Sequence, residues 1–153
     1  MSSDLRQLYQ EVILDHGKSP RNFRKPEGAN HLAHGHNPLC GDKVTIYLQV
    51  DDDRVVDVGF EGSGCAISMA STSMMTEILK GRTVGEAHDL FHKFHGLLTG
   101  TDEGEGIEVD EDAFDKLSVL SGVSDYPMRV KCATLCWHTM EAAIAGDEAV
   151  TTE

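Results

Sequence analysis

The chain has 153 residues, 40% apolar and 25% charged, and its 26 acidic against 13 basic side chains give a formal charge of −13. Length and composition fit one globular domain over residues 1–153, with a core that needs no disulfide staples. The acidity argues against phosphate-backbone binding, which depends on clustered Lys and Arg, so nucleic acid is not an expected partner.

No apolar run nears the ~20 residues that span a bilayer, and Met1-Ser2-Ser3-Asp4 does not open a signal peptide. A cytoplasmic protein without a membrane partner is expected. Thiols stay reduced there, so the four cysteines read as metal ligands or reactive groups before they read as disulfides.

Asp4 can cap a first helix whose Leu5, Leu8, Val12 and Ile13 recur at three- and four-residue steps, with Gly17 and Pro20 as stops. Arg21 to Pro38 show little periodicity and read as a loop holding His31, His34 and His36. Val44, Ile46, Leu48 and Val50 alternate with Thr45, Tyr47 and Gln49, the pattern of a half-buried strand. Asp51-Asp52-Asp53 supplies a turn, and a second strand follows with Val56, Val58 and Phe60 on one face and Val55, Asp57 and Gly59 on the other. The pair reads as an antiparallel hairpin.

A helix from about Cys65 to Lys80 buries Ile67, Ala70, Met74 and Ile78 and stops at Gly81. Thr83 and Glu86 form a capping box for the next helix, which carries Ala87, Leu90, Phe91, Phe94 and Leu98. From Asp102 to Asp115 there are eight acidic side chains and no basic one, the composition of a solvated loop or an interaction surface. A short helix around Ala113 to Leu120, a turn through Ser124 to Pro127 and a last helix from about Cys132 to Ala145 complete the chain.

On this map Cys40 lies in a loop before the first strand, Cys65 at a strand-to-helix turn, and Cys132 at the start of the last helix. Helix N-termini favour thiolate over thiol through their unpaired N–H groups and dipole, which favours metal binding or nucleophilic attack. In Cys40-Gly41-Asp42 the first and third side chains point the same way if the backbone is extended. Cys40, Asp42, Cys65 and Cys132 would give zinc three thiolates and a carboxylate. Spacing alone leaves this reading level with the alternative that each cysteine is a small core filler. Cys136, one helical turn after Cys132, reads as core packing.

His88, His92 and His95 share one helix at spacings of four and three, without a companion carboxylate motif such as HExxH, and read as a titrating surface stripe. The zinc deaminase pattern, the G-x-S-x-G elbow and a phosphate-binding glycine loop are all missing from the sequence.

Six segments taken together resemble the NifU N-terminal/IscU family: Leu8-Tyr9 through Val12-Ile13; Asp15-His16; Pro20-Arg21-Asn22; Asn37-Pro38-Leu39-Cys40-Gly41-Asp42; Gly62-Ser63-Gly64-Cys65-Ala66-Ile67-Ser68; and Val130-Lys131-Cys132. Within it the chain is most similar to the SufU branch. The resemblance implies an α+β fold, a small antiparallel sheet covered on one face by helices, with an insertion around residues 83–124. It implies Cys40, Asp42, Cys65 and Cys132 as metal ligands, with zinc as the metal and Cys40 as acceptor of persulfide sulfur. The implied donor is a pyridoxal-phosphate cysteine desulfurase of the SufS type, and the implied destination is the downstream Suf machinery of iron–sulfur cluster assembly. The alternative is a scaffold on which an iron–sulfur cluster is built from the same residues. Scaffolds of the IscU type carry histidine immediately before the third cysteine, where this chain has Lys131.

Overall fold

The computed structural model describes residues 3–147 and 149–151. Helix α1 (Ser3–Lys18) rests Val12 and Ile13 against the core. The side chains of Asp4, Leu5 and Leu8, expected to cap and bury it, lie outside the described residues. Its C-terminal end is tied to the next helix through one hydroxyl: Ser73 Oγ accepts from the Arg21 N–H (2.8 Å) and lies 2.8 Å from His16 Nδ1.

Strands β1 (His31–Asn37), β2 (Asp42–Asp51), β3 (Arg54–Ser63) and β4 (Ala149–Thr151) form a sheet in the order β3-β2-β1-β4. β1, β2 and β3 pair antiparallel, and β4 adds to β1 in parallel. The expected hairpin is β2–β3, with Val44, Ile46 and Leu48 buried on the inner face.

The structure corrects two features of this region. Residues 31–37, expected as loop, are strand β1, whose buried positions are Ala33, Gly35 and Asn37. Small inward residues hide the apolar alternation, yet the packing needs them. A Cβ on Gly35 would sit 2.0 Å from Thr139 Oγ1 and 3.1 Å from Leu135 Cδ1, so the helix above lies directly on the strand backbone. In β3 the inward residue is Val55, fully buried, while Val56 is 38% exposed. The ladder slips between Gln49 and Val50, pairing Val50 with Val55 and Gln49 with Asp57. The extra residue is a β-bulge that turns Val56 outward.

Helix α2 (Ala66–Leu79) is buried on nearly every side, from Ala70 through Thr76 without interruption. Such all-round burial is what a helix shows when it is covered by other elements on several faces; here α1, β3 and the last helix surround it. Helix α3 (Val84–Thr99) has the expected capping box between Thr83 and Glu86 and buries Ala87, Leu90, Phe91, Phe94 and Leu98. Gly100 ends it at φ 69°, the left-handed conformation glycine adopts most readily.

Helix α4 (Glu111–Leu117) runs into a 3-10 turn, Ser118–Val123. Its cap is Asp110, which accepts from the N–H groups of Asp112 and Ala113, and Glu111 and Asp112 fill the first turn. Part of the acidic run thereby complements a helix dipole.

Helix α5 (Pro127–Ala145) begins five residues earlier than expected, with Pro127 at its first position. Proline suits that place because its missing N–H would have no intrahelical acceptor. Trp137, on α5, is fully buried, with Phe94 of α3 at 5.6 Å between ring centroids. α5 and α2 together cover the inner face of the sheet. Among the described residues, no helix is long and apolar enough to cross a membrane.

Candidate functional site

The β1–β2 turn, the start of α2 and the second turn of α5 meet at one end of the sheet. Asn37 and Asp42 close the β1–β2 ladder as paired residues, and the chain between them turns back through Gly41 at φ 71°. The extended Cys40-Gly41-Asp42 geometry is therefore replaced by a tight turn. A left-handed glycine allows it, since a side chain at that φ would be strained. Cys40 remains exposed on the turn, while Asp42 on the strand is fully buried.

Cys65 is the N-cap of α2, and its sulfur accepts from the Ser68 N–H at 3.4 Å. Asp42 holds this junction in place: its Oδ1 accepts from the Cys65 N–H at 2.9 Å, and its Oδ2 lies 4.0 Å from Cys65 Sγ. The backbone comes this close because residue 64 is glycine. A Cβ there would lie 2.5 Å from Asp42 Oδ1.

Cys132 departs from expectation, because α5 begins at Pro127 and places it in the second turn, 2% exposed and away from the helix N-terminus. The dipole argument applies to Cys65 and not to Cys132. Burial pushes the Cys132 thiol up, and hydrogen bonds with Asp42, Cys40 and Cys65 push it further. Its S–H faces Cys40 Sγ at 3.3 Å. A neutral Cys132 thus donates toward the exposed sulfur of Cys40.

Ligand atoms of Cys40, Asp42 and Cys132 all lie within 4.8 Å of one another, and Cys65 joins through its contact with Asp42. The donor set fits zinc. Three sulfurs and one oxygen from four residues match a four-coordinate shell, and a cation would compensate thiolates that burial otherwise disfavours.

Two residues escaped the sequence reading. Asn37, fully buried, points its Nδ2 at Cys132 Sγ from 3.8 Å and supports negative charge there. Its place at the head of the Asn37-to-Asp42 segment was the available signal. Gly64 was the other, adjacent to Cys65 in a glycine-rich turn. Cys136 is buried in the core as expected, beside Ser71 Oγ at 3.5 Å, and burial pushes its thiol up to about 11. His31, His34 and His36 lie on β1 and are not part of this cluster.

An α+β sheet carrying three thiols and a carboxylate at one end defines a metal- or sulfur-handling domain. The chain belongs to the NifU-like N-terminal domain family, whose model matches residues 8–148. It is 37% identical over 147 residues to the zinc-dependent sulfurtransferase SufU of Bacillus subtilis, covering 96% of both chains. It is 35% identical to the iron–sulfur cluster assembly scaffold protein IscU of Streptococcus pyogenes, covering 93% of this chain and 86% of that one. A crystal structure of the SUF-system protein FiSufU from Fervidobacterium islandicum superposes with a TM-score of 0.79 at 40% identity, covering 91% of this chain and 98% of that one.

Proposed function

We propose that this protein is a zinc-dependent sulfurtransferase that takes persulfide sulfur from a cysteine desulfurase and supplies iron–sulfur cluster assembly in the cytoplasm. The observation that carries the reading is that two sulfurs of the cluster reach solvent beside the buried Asp42 and Cys132, and of these Cys65 is held by Asp42 and by its cap bond from the Ser68 N–H, which leaves Cys40 on its turn as the sulfur open to a donor. Only a sulfur that reaches solvent can meet a sulfur donor on another protein. The similarity to the Bacillus subtilis sulfurtransferase along nearly the whole chain supports it.

Cys40, Asp42, Cys65 and Cys132 would hold the zinc. Bound zinc supplies positive charge that keeps the thiols as thiolates at neutral pH. Asp42 and Asn37 fix the geometry from the buried side, through the Cys65 N–H and the Cys132 sulfur. The Cys40 thiolate attacks the outer sulfur of a persulfide on the desulfurase. The sulfur–sulfur bond of the donor breaks as a new one forms on Cys40, and the donor cysteine leaves as a thiolate. A desulfurase of the SufS type is the fitting donor, and the persulfide then passes to the Suf machinery. The 83–124 stretch is read as the insertion of the SufU branch.

The scaffold reading uses the same residues and is favoured by the IscU relatives. Lys131 weighs against it, because an ammonium group does not serve as an imidazole ligand would. The experiment is a desulfurase assay with Cys40→Ala. Wild type is expected to stimulate sulfide release and the folded variant to fail. Undiminished stimulation by the variant would overturn the acceptor role.

A further inference from the structure

The histidines expected to form a simple surface stripe are organised in pairs with carboxylates. His88 Nδ1 lies 2.9 Å from Glu141 Oε1, on α5. His92 Nδ1 and His95 Nδ1 each lie 2.8 Å from one of the two oxygens of Glu103. The loop reaches α3 through two glycines: a Cβ on Gly96 would meet the Glu103 carbonyl at 2.2 Å, and one on Gly104 would meet Lys93 N at 2.7 Å. Burial raises the Glu103 carboxyl, but hydrogen bonds with His95 and His92 hold it below its ordinary value.

An ionised carboxylate only accepts, so Nδ1 of His88 and of His92 must each carry its hydrogen. In the neutral rings the lone pair is then on Nε2. The two Nε2 atoms are 3.0 Å apart. Two lone pairs at that distance repel unless a cation lies between them. Two imidazoles on one zinc at ~2.0–2.1 Å have nitrogens about 2.9 to 3.3 Å apart for bond angles between a right angle and the tetrahedral value. A carboxylate on the far nitrogen is also the usual support of a metal-binding histidine, orienting the ring and raising its basicity.

We propose that His88 and His92 form a second metal site, on the face of α3, for a divalent transition ion of the imidazole-preferring class such as zinc or nickel. Glu141 and Glu103 orient the two rings from α5 and from the acidic segment, and water fills the remaining positions. His88, with its side chain 52% exposed, has room to adjust to the ion. The acidity of residues 102–115 raises the local concentration of cations. No residue is shared with the thiol cluster, and the site does not depend on the proposed activity.

The test is a Zn²⁺ titration of untagged, ¹⁵N-labelled protein at fixed pH, following the imidazole nitrogens by NMR. The Nε2 signals of His88 and His92 are expected to move together with added Zn²⁺. Glu141→Gln is expected to weaken the response about tenfold or more. His92→Ala is expected to abolish it at His88, and a His34→Ala/His36→Ala control to leave it intact. Amide spectra verify that each variant is folded. The site is overturned if the two signals respond to pH and not to Zn²⁺, the behaviour of a shared proton only, or if His88 responds equally in His92→Ala.

Discussion

Cys40 Sγ and Cys132 Sγ lie 3.3 Å apart, although 92 residues separate them in the chain. Two reduced sulfurs at this distance are poised for oxidation when nothing holds them as ligands. Metal-stripped protein treated with a mild oxidant is expected to lose two of its four titratable thiols and to yield a Cys40–Cys132 linked peptide pair by mass spectrometry. Protein loaded with zinc is expected to resist. Equal oxidation with and without metal would separate these sulfurs from metal binding.

Gly64 lets the turn before α2 close on Asp42. Gly64→Ala places a methyl group where Asp42 Oδ1 stands, 2.5 Å away, and the carboxylate must give way. Overpacking of this kind costs about 1–3 kcal/mol. The expected outcome is a denaturation midpoint shifted by that amount together with weaker zinc retention against a chelator. Wild-type zinc retention would show that the Asp42 contact with Cys65 is dispensable.

His16 gives stability a pH dependence. Ser73 Oγ already accepts from the Arg21 N–H, so its hydroxyl proton is free to donate to His16 Nδ1, which must be unprotonated to accept it. Burial, aided by the Arg21 charge and opposed by Glu77 and Asp15, lowers the pKa of His16 below its ordinary 6.5. A histidine with a depressed folded pKa contributes stability above its unfolded value, lost as pH falls through the folded one. Thermal unfolding is expected to show a midpoint that declines below about pH 6.5, with a shallower decline in His16→Gln. Identical pH profiles would remove His16 from the account.

The capping box fixes the start of α3. Thr83 Oγ1 accepts from the Glu86 N–H at 3.1 Å, and Glu86 Oε1 accepts from the Thr83 N–H at 3.1 Å. Thr83→Ala is expected to cost about 1 kcal/mol in chemical denaturation. No change would mean that the start of α3 frays without penalty.

Legibility followed side-chain size and backbone regularity. The pairing of β2 with β3 and the buried face of α3 were plain in the sequence, because large apolar residues mark most inward positions, Val44, Ile46 and Leu48 in the strand and Leu90, Phe94 and Leu98 in the helix. β1 was not, because Ala33, Gly35 and Asn37 face inward so that α5 can lie against the strand. The bulge that turns Val56 outward leaves no mark in an alternating pattern, and Pro127 reads equally as a turn or as a helix start. At the site, motif resemblance drew attention to Cys40, Asp42, Cys65 and Cys132, which the fold brings together. Asn37 and Gly64 act through register and close approach, which become visible only in three dimensions.

The most direct measurement is the site of sulfur loading. The protein is incubated with a SufS-type cysteine desulfurase and cysteine, alkylated, digested and analysed by mass spectrometry. One additional sulfur on the Cys40 peptide, absent when cysteine is omitted, is the predicted result; additional sulfur on Cys65 or Cys132 in place of Cys40, or on no cysteine of the chain, would contradict it.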